Sequence, residues 1–193
     1  MVKTLKTPRL TLRPLTLDDA EKMFQNWTHS VNATKYLTWP PHDNLEVTKD
    51  RLRQRITEAN EEWGIVDTQT QELMGVIDVV GEITETQTKI IGYVLGEKFW
   101  NKGYMTEALE AVIAYLFDAT AVNRIEATHD IANPGSGKVM EKAGMTFEGI
   151  LRQAARNNQG IVDIAIYSIL RADLEELTAS IDKSSVPPLK QSL

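Results

Sequence analysis

Apolar residues recur along the chain with two different periods, and the change from one period to the other predicts the order of strands and helices. A strand is expected where every second residue is apolar or where a short run is wholly apolar. Seven segments meet this criterion: residues 10–13, 63–67, 73–80, 89–95, 124–128, 146–152 and 161–170. Some of these follow one another directly and others are separated by helical patterns, which predicts a mixed α/β sheet.

The helical period predicts two helices before the second strand. The first begins at a cap on Thr16 or Asp18 and ends near Trp27, and the second spans about residues 46–60. The buried stripe of this second helix is expected to be Leu45, Leu52, Ile56 and Ala59. The prolines of residues 36–41 break both regular structures, so this segment forms a loop between the two helices.

Three more helices are expected further along the chain. One ends near residue 118, one spans residues 133–143, and the last begins near Asp173. The middle one has clear boundary residues, because Asn133 suits an N-cap, Pro134 suits the first turn, and Gly144 stands just past the end. Its first turn also contains Gly135 and Gly137, which weaken a helix. Close approach of a ligand, or of another backbone, would explain them.

Residues 90–117 join a strand to a helix through a turn that contains Gly103. Such a junction directs backbone N–H groups to the point where the positive end of the helix macrodipole lies, which suits a phosphate group. Gly103 can adopt a positive φ, Lys102 supplies charge, and Thr106 places a hydroxyl in the first helical turn. The spacing matches neither a Walker A loop nor a dinucleotide fingerprint, so ATP and NAD are poor candidates. A plain strand–helix connection with a solvated lysine is the alternative.

Composition narrows the function classes. The 193 residues, 42% hydrophobic and 25% charged, suit one ordinary globular domain. A net charge of −6 makes a broad nucleic-acid surface a poor expectation. The absence of cysteine excludes disulfides and thiolate nucleophiles, and His29, His42 and His129 lack metal-ligand spacing, so no metal is expected. Without a signal-like or membrane-spanning apolar run, we expect a cytoplasmic protein with no membrane partner.

Two separate motifs, FWNKGYMTEAL and NPGSGKVMEKAGMTFEG, together resemble the GNAT acetyltransferases. The opening TPRLTLRPLTLDDAE and the ending VDIAIYSILRADL resemble the ribosomal-protein-alanine N-acetyltransferase branch, so that the resemblance covers about residues 7–175. It implies the GNAT acyl-CoA N-acyltransferase fold, a mixed and largely antiparallel seven-stranded sheet with helices on both faces. We expect this domain to span residues 1–178, and the polar, proline-containing end of the chain predicts a flexible tail in residues 179–193.

The resemblance also implies acetyl-CoA as acyl donor. In the family, the turn before the helix binds the pyrophosphate through backbone N–H groups, and the free edge of the preceding strand pairs with the pantetheine arm. A backbone N–H on that edge polarises the thioester carbonyl as an oxyanion hole. The implied binding positions are Tyr93, Val94, Leu95, Trp100, Asn101, Lys102, Gly103, Tyr104, Met105, Thr106, Asn133 and Ser136. Ser136 matches a hydroxyl suited to protonating the departing thiolate as a general acid.

Three positions depart from the family pattern. Asn101 stands where a second glycine is frequent, Met105 stands where a small residue is frequent, and Ala155 stands where some members carry a glutamate proposed to take part in proton transfer. Because alanine cannot transfer a proton, the general base is not identified. The sequence candidates for a base are Asp78, Glu97, Asp130 and Asp163.

The expected reaction is direct attack of a primary amine on the thioester in a ternary complex, since bringing both reactants together removes much of the entropic barrier. The resemblance favours a protein N-terminus as acceptor. A small amine (polyamine, amino acid or antibiotic) and a non-catalytic acyl-CoA-binding module are the alternatives. Trp39 and His42, on the proline-rich loop, are candidates to line the acceptor pocket or else to have a surface role. The chain is expected to be a monomer or a homodimer.

Overall fold

Eight strands form one open sheet in the computed structural model, which describes residues 2–174. They are β1 (Leu5–Lys6), β2 (Leu10–Arg13), β3 (Glu62–Asp67), β4 (Leu73–Ile83), β5 (Thr88–Leu95), β6 (Arg124–Asp130), β7 (Thr146–Asn157) and β8 (Gly160–Leu170). Their spatial order is β1-β2-β3-β4-β5-β6-β8-β7, and only β5 and β6 run parallel in the described sheet. The predicted mixed, largely antiparallel sheet is confirmed, with one more strand because the two-residue β1 is too short to show a period.

Five α-helices connect these strands within the described residues. They are α1 (Ala20–Met23), α2 (Val31–Thr34), α3 (Leu45–Thr57), α4 (Tyr104–Ala119) and α5 (Pro134–Lys142). The first predicted helix is irregular, because one 3-10 turn precedes α1 and one π turn, Phe24–Thr28, follows it. Of its two predicted caps the structure uses Thr16, whose backbone N–H donates to the Asp19 carboxylate at 2.8 Å.

The buried face of α3 differs from the predicted stripe. Leu52 is buried as predicted, but Ile56 is 43% exposed, and Ala59 lies beyond the end of the helix at a φ of +54°. The inner face carries Thr48 and Arg55 instead, at helical spacing from Leu52. Arg55 turns toward two buried carboxylates on the sheet, and this polar contact leaves the neighbouring Ile56 facing solvent.

Two apolar clusters cover the opposite faces of the sheet. On one face, Ile65 and Ile77 pack with side chains of α4 and α5 such as Leu109 and Met140. On the other face, the alternate positions Val66 and Val76 pack with residues of the α1–α3 region, namely Met23, Trp27 and Leu52. Each fully buried aliphatic side chain contributes about 1.5–3 kcal/mol through removal from water. Helices on both faces are therefore confirmed.

The parallel pair of the described sheet ends before its two strands do. The pairing of β5 with β6 stops at Ile91 and Ala127, whereas β5 continues to Leu95 and β6 to Asp130. On its other side β5 remains paired with β4 as far as Leu95. Residues 92–95 therefore present a backbone edge that no described strand occupies, on the strand that leads into α4.

Two predictions concern the end of the chain. The predicted tail of residues 179–193 and nearly all of the helix predicted from Asp173 lie outside the described residues. Within residues 2–174, no helix is both long enough and apolar enough to cross a membrane.

Candidate functional site

The turn between β5 and α4 has the backbone geometry of an anion site. Asn101 and Gly103 both adopt left-handed conformations, with φ of +60° and +78°, and α4 begins at the next residue, Tyr104. Glycine adopts this conformation freely and asparagine tolerates it, which explains how Asn101 replaces the frequent glycine. The first N–H groups of α4 have no partner within the helix and lie at its positive end. The junction predicted from the sequence is present.

The side chains of this turn point in three directions. Met105 is 5% exposed and packs in the core, so that its bulk does not enter the space over the turn. The indole N–H of Trp100 donates to the carbonyl oxygen of Leu95 at 2.7 Å. The ammonium group of Lys102 donates to the carbonyl oxygen of Lys98 at 2.8 Å, and Lys102 stays exposed. At Met105 only the backbone can therefore contact a ligand. This explains how a methionine can replace the small residue that is frequent at this position in the family.

Arg9 holds the turn in place, a role that the sequence did not reveal. Its guanidinium donates to the carbonyl oxygen of Lys102 at 2.9 Å and lies 4.6 Å from the centre of the Tyr104 ring. It also forms an ion pair with Glu107 of α4 at 2.6 Å. Burial alone would raise the pKa of Glu107, but hydrogen bonds from Thr7 and Arg9 lower it overall. The arginine belongs to the quoted opening segment, yet no local pattern links residue 9 to a turn near residue 103.

Two predicted site residues meet beside the open edge of β5. The hydroxyl groups of Tyr93 and Ser136 lie 2.9 Å apart, and the Tyr93 hydroxyl also lies 3.1 Å from the Ser136 carbonyl oxygen, to which it donates. Burial raises the pKa of Tyr93, so its phenol stays protonated at neutral pH. A pair of neutral hydroxyl groups therefore lies between β5 and the first turn of α5.

The glycines of α5 have different surroundings. A Cβ on Gly137 would lie 2.6 Å from Nε2 of His129, whereas a Cβ on Gly135 would meet only the Asn133 side chain, at 3.6 Å. Gly137 is therefore required by an imidazole side chain rather than by another backbone. Gly135 has room around it, as does the half-buried Asn133 that precedes α5.

Three of the four candidate bases are engaged in structural hydrogen bonds. Glu97 accepts from Ser30 and Asn32, and these bonds lower its pKa. Asp130 accepts from the backbone N–H of Ala132 at 2.8 Å and from the Asn157 amide at 2.7 Å. Asp163 accepts from a backbone N–H of β7 at 2.9 Å.

The fourth, Asp78, lies in a buried cluster on the α3 face of the sheet. Arg55 bonds to one oxygen of Asp78 and, at 2.9 Å, to Glu62 on the neighbouring strand. Burial raises the pKa of both carboxyl groups against the opposing effect of Arg55.

The proline-rich loop docks on the β7–β8 hairpin. The Asn158 side chain donates to the carbonyl oxygens of Thr34 and Trp39, both at 2.8 Å. The backbone N–H of Asn158 donates to the carbonyl oxygen of Leu37 at 3.1 Å. The two predicted acceptor residues, Trp39 and His42, are half-buried with ring centres 5.2 Å apart. These bonds join the loop to the hairpin, and we call this set of residues, 34–42 and 157–160, the acceptor wall after the predicted acceptor residues Trp39 and His42.

Other side chains of this region limit its chemistry. Nδ1 of His42 lies 2.8 Å from the Thr48 hydroxyl, and burial, followed by the charge of Arg51, lowers the pKa of His42. Ala155 is half-buried on β7 and presents only a methyl group. Among residues 2–174, no group of three or more histidine or acidic side chains is arranged to hold a metal ion.

Comparison with known proteins shows where this architecture recurs. A family model described as an acetyltransferase (GNAT) domain matches residues 9–146. The uncharacterized N-acetyltransferase p20 of Bacillus licheniformis is 30% identical over 177 residues, which cover 89% of this chain and 98% of that protein. The crystal structure of a GNAT-family acetyltransferase from Bacillus anthracis superposes with a TM-score of 0.80 at 28% identity, covering 88% of this chain and 99% of that one.

Two further similarities concern substrates. The ribosomal-protein-serine acetyltransferase of Escherichia coli is 31% identical over 97 residues, 50% of this chain and 54% of that protein. A microcin C7 self-immunity acetyltransferase, MccE, was solved in complex with acetyl-CoA and AMP. It superposes with a TM-score of 0.75 at 25% identity, covering 85% of this chain and 93% of that one.

Proposed function

This chain belongs to the acetyltransferase (GNAT) family and uses acetyl-CoA as acyl donor, and on that premise we propose that its acceptor is the α-amine at the N-terminus of a protein. The similarity to the ribosomal-protein-serine acetyltransferase carries this proposal. The similarity to this relative covers half of the chain. The acceptor wall and the turn of residues 100–106 have no sequence motif in common. The donor half of the reaction therefore rests on the family, and the acceptor rests on similarity to this relative.

We propose that residues 100–106 bind the pyrophosphate of acetyl-CoA through their backbone N–H groups. The left-handed conformations of Asn101 and Gly103, together with the positive end of α4, support this role. Tyr93, Val94 and Leu95 would pair with the pantetheine arm, since β5 runs beyond the end of its pairing with β6. One backbone N–H of this edge would polarise the thioester carbonyl, and Asn133 would contact a pantetheine amide.

We propose Ser136 as the group that protonates the departing thiolate. Its hydroxyl lies beside the open edge of β5 and 2.9 Å from the Tyr93 hydroxyl, which is neutral at pH 7. When Ser136 gives its proton to the thiolate, its oxygen carries the negative charge until solvent returns a proton, and the neutral Tyr93 hydroxyl can donate a hydrogen bond to that oxygen. Transfer by positioned groups of this kind contributes typically about 10²–10⁴-fold to rate.

The acceptor is tested with a matched panel of amines, read out as release of free CoA. One set comprises peptides that begin with Ala, Ser or Met, and each peptide has a partner whose N-terminus is blocked but which retains an internal lysine. A second set comprises spermidine, free amino acids and an aminoglycoside. We expect product only from peptides with a free N-terminus. Product from the blocked partners, or from small amines alone, would overturn the proposed acceptor.

A small-amine acceptor is the second candidate, because the chain also resembles the MccE self-immunity enzyme, which was solved with AMP. Turnover confined to the second set of the panel would support this candidate. A non-catalytic acyl-CoA-binding module has less support, because the matching family model and the similar proteins are described as acetyltransferases. The binding-module alternative would be supported if calorimetry showed binding of CoA and no amine gave product.

A further inference from the structure

Asp78 and Asp163 are the two candidate bases with one carboxylate oxygen that accepts no hydrogen bond from a described residue, and of these two Asp78 pairs with β5. Its Oδ2 pairs with Arg55, whereas no described residue donates a hydrogen bond to its Oδ1. Oδ1 of Asp78 has no partner but is not fully enclosed, because among the described residues Nε2 of His129 is the only fully enclosed side-chain atom without a partner. Asp78 is 9% exposed, so Oδ1 is accessible to solvent. A buried carboxylate with one free, accessible oxygen is poised to accept a proton.

The free oxygen lies beside the point where β5 separates from β6. Asp78 pairs directly with Gly92 across the β4–β5 ladder, and Oδ1 lies 3.4 Å from the position that a Cβ of Gly92 would occupy. Gly92 is the first residue of β5 after the last β5–β6 pair, which ends at Ile91. Gly92 itself has no side chain beside Oδ1, and the nearest atom to its Cβ position is Cγ1 of Val80, at 2.7 Å.

Asp78 and the hydroxyl pair lie on opposite faces of the sheet. Asp78 contacts Arg55 of α3, which packs on one face, whereas Tyr93 bonds to Ser136 of α5, which packs on the other. A thioester held at the edge of β5 would therefore have a proton donor on the side of α5 and a proton acceptor on the side of α3. This separation suits a reaction in which one group gains a proton and another loses one.

We propose that Asp78 is the general base of the transfer reaction. The inference rests on the proposed function, in which an amine attacks a thioester held by β5. The amine nitrogen forms a bond to the carbonyl carbon, and the positively charged nitrogen of the adduct then gives a proton to Oδ1, directly or through one water. The carbon–sulfur bond breaks, and the thiolate takes a proton from Ser136. Ser136 is reprotonated from solvent as Asp78 releases its proton, so the products are an acetylated amine and free CoA.

The surroundings of Asp78 suit this role. Burial raises the pKa of Asp78 and Arg55 lowers it, and burial has the larger effect. The pKa of Asp78 therefore lies closer to neutral pH than that of an exposed aspartate. The charged groups placed against it are Arg55 from α3 and Glu62 from β3, while β5 contributes only Gly92. Glu62 lies one strand further from β5 than Asp78, so the two carboxylates share a partner but not access to the opening.

The decisive variant is Asp78→Asn, with Glu62→Gln as its matched control. Each change removes one of the two carboxylate partners of Arg55 and leaves the other in place. We expect Asp78→Asn to lower kcat by about 10²–10³-fold with acetyl-CoA affinity changed less than twofold by calorimetry, whereas Glu62→Gln lowers kcat less than threefold. Equal losses in the two variants, or an Asp78→Asn enzyme with more than a third of wild-type kcat, would overturn the proposal.

The pH profile decides the question even if Asp78→Asn does not fold. Wild-type kcat should rise with pH as the base loses its proton. Removing the negative charge of Glu62 favours the ionised form of Asp78, so the midpoint of this rise should move to lower pH in Glu62→Gln. Coincident midpoints would overturn the role of Asp78. A wild-type enzyme that acetylates no amine would instead overturn the proposed function, and this inference with it.

Discussion

We call residues 100–106, which we propose bind the donor, the donor turn. This turn and the acceptor wall are built by different means. The turn depends on backbone conformation, with left-handed residues at Asn101 and Gly103 followed directly by a helix. The acceptor wall depends on side chains that reach across the fold, such as Asn158, whose amide bonds to carbonyl oxygens 124 and 119 residues away. A site of the first kind is visible in a short motif, and a site of the second kind is not. This difference explains why the donor is established by the family while the acceptor is a proposal.

The largest effect is expected from loss of the Ser136 hydroxyl, which we propose takes part in proton transfer. Ser136→Ala should lower kcat by about 10²-fold and leave acetyl-CoA affinity nearly unchanged, because it removes a proton donor and no backbone contact. Kinetics at saturating acceptor and calorimetry with CoA measure the two quantities. Tyr93→Phe is the matched control, since it removes the neighbouring hydroxyl and should have the smaller effect. An unchanged rate in Ser136→Ala would exclude Ser136 from the mechanism.

The backbone nature of the donor turn is tested next, by two changes of opposite kind. Gly103→Val places a β-branched side chain at a φ of +78°, where strain of about 1–3 kcal/mol is expected, so acetyl-CoA affinity should fall by about tenfold or more. Asn101→Gly keeps the conformation available and should leave the affinity within about twofold. Calorimetry of both variants gives the comparison. Equal affinities would show that the turn does not bind the donor through its backbone.

The smallest expected effect concerns the acceptor wall. Asn158→Ala removes two hydrogen bonds to the proline-rich loop and should reduce stability by about 1–2 kcal/mol. The KM of the acceptor should rise severalfold while acetyl-CoA affinity stays the same. The control is Gln159→Ala, at an exposed neighbour whose side chain makes no hydrogen bond in the described structure. A rise in the KM of acetyl-CoA instead would show that the wall serves the donor.

Prediction from the sequence was most successful where a feature is local. The positions of the strands, the extent of α4 and the turn at Gly103 follow from periodicity and from the conformational freedom of glycine within a short window. The prediction was wrong for Ile56 and Ala59, because the inner face of α3 is decided by its contact with carboxylates on β3 and β4. Helical periodicity cannot report a partner that lies on another element.

The candidate site shows the same division. The sequence identified Tyr93 and Ser136 separately, by resemblance, but not that their hydroxyl groups touch across 43 residues. It named Asp78 among four carboxylates without a reason to choose it. The strand register that places Asp78 opposite Gly92 supplies that reason. Arg9 was missed because its contact with the donor turn spans 93 residues.

The sequence by itself determined the family, the acyl donor and the turn expected to bind it, because these depend on backbone chemistry encoded within about ten neighbouring residues. Only the tertiary structure decided which side chains meet at the opening between β5 and β6. Those meetings depend on strand register and on which helix covers which face of the sheet, and both are set by packing among residues far apart in the chain.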